Sequence, residues 1–459
     1  MQINHSFTPK DIDYLISKDR LTNYGGLKTL LKAFNDSVLK NPFEKAMPLR
    51  KSPRSGGAYR LGLVQVASFL YGHDCLADLE KFRKDPFVTE IMQGQSVAPR
   101  TMGDFLRDFK DQNLLDLNQF LSTQALAYRE QLYKMQKKTF KPSLAPHFYI
   151  DSTPHVQSGT KIEGVAWNYK DQWCLDSQLI FDELGFCWDM ELRSGNTKSG
   201  VGATEQIKRV FRKYKFNDEK YLSADSAYCN QEIIKTLLGL GVKFTITAHN
   251  GTTGWQNHIP EITNWKPWEY SKEQIQMANE KGIELPEVEV GSFHWRPSWN
   301  EALCFPVVVK RTPSDQVDLF TGGYRHYGVV TNHSLYSETA QQIMEHHNKR
   351  GNAENFIKEG KYGYDLKHFP CLKMKANHAF GLLGFVAHNI LRWVSHHENP
   401  KKPPYAKYLR EKFLFIPGKL VSHARFLALR IPDYFYKEVK KLELALQWKP
   451  SSALATDDP

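Results

Sequence analysis

Three carboxylates carry the clearest chemistry in this chain. HFYIDST (147–153) is a short β-branched and aromatic run closing on Asp151, and KYLSADSAY (220–228) is a second strand-like run closing on Asp225. Acidic residues at strand ends become informative when the strands are neighbours, and these two strands side by side would bring their carboxylates together. A third carboxylate from a later helix would complete a cage of hard oxygen ligands suited to Mg²⁺ or Mn²⁺. Two such ions, about 3.5–4 Å apart, activate an attacking water or hydroxyl and stabilise the leaving oxygen of a phosphodiester.

The best third ligand is Glu354. SETAQQIMEHHNKRGNAENFIKEGK (337–361) reads as one long helix with a Ser N-cap and Glu338 in its first turn. At about 100° per residue, positions 347, 354 and 361 fall within about 20° of one another, and Arg350 lies about 40° away. His347, Arg350, Glu354 and Lys361 are therefore expected on one face, a carboxylate flanked by cations suited to phosphate. Taken alone, Arg350–Glu354 and Glu354–Lys358 read more simply as i,i+4 ion pairs on a solvated face.

The elements that must position these groups fall into four stretches. Residues 1–140 read as helical, with apolar stripes in GGLKTLLKAFNDSVLK (25–40), in LGLVQVASFLYG (61–72), after Pro99 and from Leu114 to about Lys137. A basic cluster, KMQKKTFKP, follows, and this stretch is expected to be a DNA-binding domain; a packing domain with a charged exterior is the alternative. From 141 the texture turns to strands: VAWNYK, CLDSQLIFDE and FCWDMELRS, the last two joined by a turn at ELG. A helix (203–214), the Asp225 strand, a helix (231–241) and the strand VKFTITAH complete a mixed sheet flanked by helices. Residues 251–325, rich in Trp, Pro, Gly and Thr, look like a β-rich insertion. The core resumes over 326–400 with RHYGVVTN, the Glu354 helix and a buried helix (378–397). Residues 401–459 form a C-terminal region with strand-like FLFIPG and FLALRIP, a short helix and a polar tail.

IDST (150–153), LSADSAY (222–228) and R-x3-E-x6-K (350–361) together resemble the bacterial insertion-sequence transposases of the DDE superfamily. Within that superfamily they are similar to the group with a Tyr-x2-Arg-x3-Glu-x6-Lys signature, as are LRSGNTKSGVGA (192–203) and LYGHDCLADLEKFRKDPF (70–87). The signature tyrosine position is His347 here; either ring can stack on or hydrogen-bond to a nucleotide. The resemblance implies an RNase H-like α/β core with a β insertion, preceded by a helical domain. It implies Asp151, Asp225 and Glu354 as ligands of two Mg²⁺ or Mn²⁺ ions, with Arg350 and Lys361 on the terminal phosphates of the element. It also places Trp295 and Trp299 in an insertion where related enzymes stack a tryptophan on a flipped base; packing within the insertion is the bland alternative.

The function so implied is cleavage and strand transfer at terminal inverted repeats, with the repeats and target DNA as partners and a homodimer on DNA. A metal-dependent nuclease without strand transfer and a non-catalytic DNA-binding descendant are the rivals. Composition agrees with a polyanionic partner: 61 Lys and Arg against 50 Asp and Glu give +11, with pI about 9.1. There is no apolar run long enough to span a membrane and no signal-peptide layout, so a cytoplasmic, nucleoid-associated protein is expected. Six scattered cysteines show no C-x-x-C, HHENP (396–400) lacks H-E-x-x-H, and neither a P-loop nor G-x-G-x-x-G occurs. Asp176, Asp182, Asp189 and Glu191 are explained by alternation and turns.

Overall fold

The computed structural model describes residues 12–50, 57–94, 97–136, 146–213, 219–314, 323–423 and 426–448. After a two-residue strand β1 (Leu21–Thr22) come seven helices: α1 (Leu27–Asn35), α2 (Lys40–Ala46), α3 (Ala58–Leu70), α4 (Leu79–Lys84), α5 (Pro86–Ile91), α6 (Pro99–Arg107) and α7 (Asp111–Gln136). Pro99 opens α6 at a position where a missing N–H leaves no bond unmade. The stripe predicted over 25–40 is two helices. Ser37 Oγ donates to the Phe34 carbonyl as α1 ends, and Val38 is left exposed. Most of the basic cluster after α7 and the polar C-terminal tail lie outside the described residues.

The middle of the chain alternates strands and helices: β2 (His147–Val156), β3 (Ala166–Trp167), β4 (Trp173–Asp182), β5 (Cys187–Ser194), α8 (Ala203–Lys213), β6 (Lys220–Ala224), α9 (Gln231–Gly239) and β7 (Val242–Thr247). Beyond these lie α10 (Asn250–Thr253), β8 (Lys266–Pro267), α11 (Lys272–Lys281), β9 (Glu289–Trp295), β10 (Phe305–Pro313) and β11 (Tyr324–Thr331). One mixed sheet takes all ten of these strands in the order β3-β4-β2-β6-β7-β11-β10-β9-β8, with β5 also paired to β4. The pairs β2–β6 and β6–β7 are parallel and the others antiparallel. The β-rich stretch thus extends the sheet that carries β2 and β6, through Val329↔Thr247 and its neighbours.

Two long helices brace this sheet. α14 (Met374–Glu398) is buried continuously from Ala376 to His396 and packs on α7, where the Tyr128 and Trp393 rings stack 4.5 Å apart. Asn389 closes both backbone groups of Cys187, at 2.8 Å each, which fixes α14 to β5. Gly381 allows the close approach: a Cβ there would meet the Met190 side chain at 2.5 Å. Arg129 of α7, 1% exposed, bonds Asp182 and Glu183 at the β4–β5 turn, where Gly185 takes φ +83°. A buried charge of this kind persists because it is paired with two carboxylates.

The helix expected over 337–361 is two, α12 (Ala340–Asn348) and α13 (Gly351–Gly363), joined at Lys349–Arg350. The chain ends with α15 (Ala406–Leu409), a π-helical turn Arg410–Leu414, the hairpin β12 (Gly418–His423) and β13 (Phe426–Arg430), and α16 (Asp433–Ala445). FLFIPG is therefore largely not a strand. The Leu414 and Ile416 carbonyls accept from Gly26 and Gly25, so this turn is held by the N-terminal segment. Among the described residues no helix is long and apolar enough to cross a membrane.

Candidate active site

Strand register brings the first two carboxylates together. Ile150 pairs with Ala224 in the parallel β2–β6 ladder, which places Asp151 and Asp225 side by side. Asp225 directly follows β6, whereas β2 runs on through Asp151 to Val156 against β4, so Asp151 sits within its strand instead of closing it as the sequence predicts. Asp225 caps the turn Ser226–Tyr228 through the Ala227 N–H at 2.9 Å, and the Ser152 N–H donates to Asp151 Oδ1 at 2.8 Å. Both acids line one cavity of about 360 Å³. Burial, and then the charge of Asp225, push the Asp151 carboxyl up from 3.8 to about 6. Crowded carboxylates of this kind match a cation that demands oxygen ligands, so the donor chemistry here fits a divalent ion.

The third carboxylate stands apart. Glu354, in the first turn of α13, is 57% exposed and meets the Arg350 guanidinium at 3.9 Å. Arg350 lies 3.7 Å from Asp151 on its other side, so one guanidinium links the two acids. Among the described residues, the one trio of His, Cys, Asp or Glu ligand atoms within 4.8 Å of one another is Asp74, Cys75 and Asp78, the first two exposed and Asp78 half-buried, at a helix start far along the chain from these acids.

The shared face of four residues does not form. His347 closes α12, one helix earlier than Glu354, and is 1% exposed. Its Nε2 sits between the hydroxyls of Thr247 (3.1 Å) and Tyr327 (3.0 Å), and Nδ1 lies 3.2 Å from the Thr245 carbonyl. Burial and the nearby Arg350 push its pKa down to about 3, so the ring is neutral. Both nitrogens are engaged inside the protein, and His347 ties α12 to β7 and β11. Lys361 is half-buried, donates to the Pro154 carbonyl of β2 at 2.5 Å, and is held below the usual lysine range by burial, with Asp176 opposing.

The two tryptophans also differ from a free stacking platform. Trp295 is 6% exposed at the end of β9, with its ring against Phe305. Trp299 is half-buried, with the Lys235 ammonium 5.0 Å over its ring.

The remaining sheet acids are held by arginines: Asp182 by Arg129, Asp189 and Glu191 by Arg209, and Asp176 by Arg193. Arg193 also donates to the Ser199 and Val201 carbonyls, at 3.1 and 2.7 Å, and so pins the loop 195–201 beside β4. Ser199 Oγ reaches Ser152 Oγ at 2.8 Å, next to Asp151. This loop and Asp176 line the cavity of Asp151 and Asp225, a role that sequence reading missed. The Gly-, Ser- and Thr-rich run SGNTKSG directly after a strand was the available signal.

No curated protein matches the chain. Among solved structures, a cryo-EM structure of a piggyBac transposase synaptic complex with hairpin DNA is similar at a TM-score of 0.41 and 10% identity, over 96% of this chain and 90% of that chain. Residues 20–446, nearly the whole chain, match the family model described as transposase DDE domain group 1, and the chain belongs to that family.

Proposed function

We propose that this chain is a DNA transposase that binds the terminal inverted repeats of an insertion sequence and carries out metal-dependent strand cleavage and strand transfer. The observation that carries the reading is the adjacency of Asp151, within β2, and Asp225, directly after the parallel strand β6, with the charge of Asp225 pressing on Asp151. That strand order also supports an RNase H-like core (141–250 and 326–400), flanked by a helical DNA-binding region (1–140) and the stretch 251–325. The chain acts as a dimer on DNA, in the cytoplasm and at the nucleoid.

Asp151, Asp225 and Glu354 would hold two divalent ions, Mg²⁺ or Mn²⁺. Such ions supply activation of the attacking oxygen and stabilisation of the leaving one. In cleavage a water oxygen bonds to phosphorus as the phosphorus–3′ oxygen bond breaks, the water losing a proton and the 3′ oxygen gaining one. In transfer that freed 3′-hydroxyl oxygen bonds to a target phosphorus and loses its proton as the target's own phosphorus–3′ oxygen bond breaks and its 3′ oxygen is protonated. The protein's own groups orient and screen. Arg350, released from Asp151 once that carboxylate is otherwise neutralised, offers its fork to a phosphate. Lys361 donates one hydrogen to Pro154 and keeps two for the terminal phosphates. Trp299, beside Lys235 and half-buried, keeps ring surface for DNA.

The test is cleavage of a duplex carrying the element's own end, with Mg²⁺ or Mn²⁺, by wild type and Glu354→Gln. Gln keeps the length and the helix but not the charge. Cutting at the element boundary by wild type alone is the expected result. Equal cutting by both would reduce Glu354 to a surface residue. Binding without cutting by either would favour a non-catalytic DNA-binding protein, and cutting without joining of a pre-cut 3′ end would favour a nuclease.

A further inference from the structure

The chain has ten tryptophans, and among the described residues only Trp167 is exposed, at 62%. Two residues on, Tyr169 is 87% exposed. Both sit on the short hairpin joining β3 to β4, and the hairpin is built to hold them. Asn168 Oδ1 accepts from the Lys170 and Gln172 N–H groups at 2.9 and 3.0 Å, and Asn168 N–H donates to the Gln172 carbonyl at 3.0 Å. Asp171 takes φ +54° to close the turn, and Trp167 pairs across the strands with Trp173, their rings 5.6 Å apart. Burying such rings elsewhere would gain stability; here the turn keeps them in solvent.

Their location gives them a use. Trp167, Tyr169, Lys170 and Lys198 line the same cavity of about 360 Å³ as Asp151 and Asp225, within the volume range of small-molecule sites. The cavity therefore joins three chemistries: carboxylates for a cation, ammonium groups for phosphate, and two aromatic faces. Lys170 also stands 5.3 Å over the Tyr169 ring. Cation, phosphate and π-face in one polar cleft match the three parts of an unpaired nucleotide. Aromatic rings accept any base, because every base has a π-face, and basic side chains beside them track the backbone.

We infer that the β3–β4 hairpin is a stacking platform that holds an unpaired base of the DNA strand beside Asp151 and Asp225, with Trp167 and Tyr169 on the base and Lys170 and Lys198 on its phosphates. This rests on the transposase reading for the identity of the DNA, and it assigns strand positioning to a place distinct from the tryptophans of residues 251–325.

The test uses the full chain and a short oligothymidylate carrying a single 2-aminopurine, whose fluorescence is quenched by stacking, with an abasic oligomer of equal length as control. Wild type is expected to quench the probe and bind it more tightly than the abasic control. Trp167→Ala loses the quenching and roughly 5- to 150-fold of the affinity for the probe, but none for the abasic oligomer. Trp167→Phe restores most of both. Because Tyr169 is the more exposed residue, Tyr169→Ala gives the same comparison should the first variant misfold. Unchanged quenching and affinity in both alanine variants overturn the platform. Cleavage of the element's end separates the two ideas: an active wild type with unaltered variants sinks the platform alone. A wild type that quenches the probe yet neither binds nor cuts the end sinks the transposase reading and leaves the platform standing.

Discussion

Replacing Asp151 by Asn should make the protein more stable while removing its activity. The ionised carboxylate is buried beside Asp225, and only the Ser152 N–H and Arg350 offset the penalty. Its pKa rises from 3.8 to about 6, a shift of about two units, at about 1.4 kcal/mol per unit. A group raised in the folded state contributes stability that is present below 3.8 and lost as pH rises through about 6. At pH 7.5 the loss is complete and amounts to ~3 kcal/mol as an upper bound. Asn keeps the shape and can still accept from Ser152, so a gain of about 1–3 kcal/mol is expected, a rise in Tm of a few degrees. Thermal unfolding of both proteins at pH 7.5 and at pH 5, with and without Mg²⁺, is the assay. The difference between them should narrow at pH 5, and Mg²⁺ should raise the Tm of wild type more than that of the Asp151→Asn variant, since only the former holds the full ligand set. A variant that melts below wild type, or equal stabilisation of both by Mg²⁺, would refute the account of strained carboxylates awaiting a cation.

Two further outcomes concern histidines. His347→Ala leaves the Thr247 and Tyr327 hydroxyls without their shared partner, and should lower the free energy of unfolding in urea by about 1–3 kcal/mol. An unchanged urea midpoint together with weakened DNA binding would instead restore His347 as a DNA contact. His155, His347 and His396 are all held near a pKa of about 3, in each case chiefly by burial. Groups lowered in the folded state contribute stability present above the unfolded value of about 6.5 and lost as pH falls below it. Between pH 7.5 and 5.5 each should remove about 1 kcal/mol, together outweighing the opposite trend from Asp151. Urea midpoints that hold or rise over that interval would contradict the assignment of these rings as neutral.

The parts of the site legible in the sequence are those set by local pattern. The hydrophobic runs before Asp151 and Asp225 mark two strands whose parallel pairing makes the acids neighbours, although β2 continues past Asp151 to Val156 because it still pairs with β4. The β4–β5 turn shows itself through Gly185, which takes the positive φ that glycine accepts readily. The Glu354 helix was harder, because its apolar spacing runs unbroken through Asn348–Gly351 while the backbone does not. What breaks it is a tertiary bond, His347 drawn onto Thr245, Thr247 and Tyr327, with Gly351 as a weak local cue. α11 was missed although its capping box, Ser271 and Gln274, is plain in the sequence. Trp167 and Tyr169 read as part of a strand, and only the fold shows that the strand stops at two residues and leaves both rings beside the carboxylates.

The continuity of the ten-stranded sheet makes it a ruler. β9 is joined to β6 only through β7, β11 and β10, all by backbone hydrogen bonds. Four inter-strand spacings of about 4.8 Å separate the strand that ends at Asp225 from the one that ends at Trp295, about 19 Å measured across the sheet. That separation cannot lengthen or hinge without breaking ladder bonds. On the proposed function, a duplex spanning residues 251–325 and the carboxylates would be measured by covalent and hydrogen-bonded geometry, and an insertion or deletion of one strand there would shift the cut by a fixed step rather than blur it.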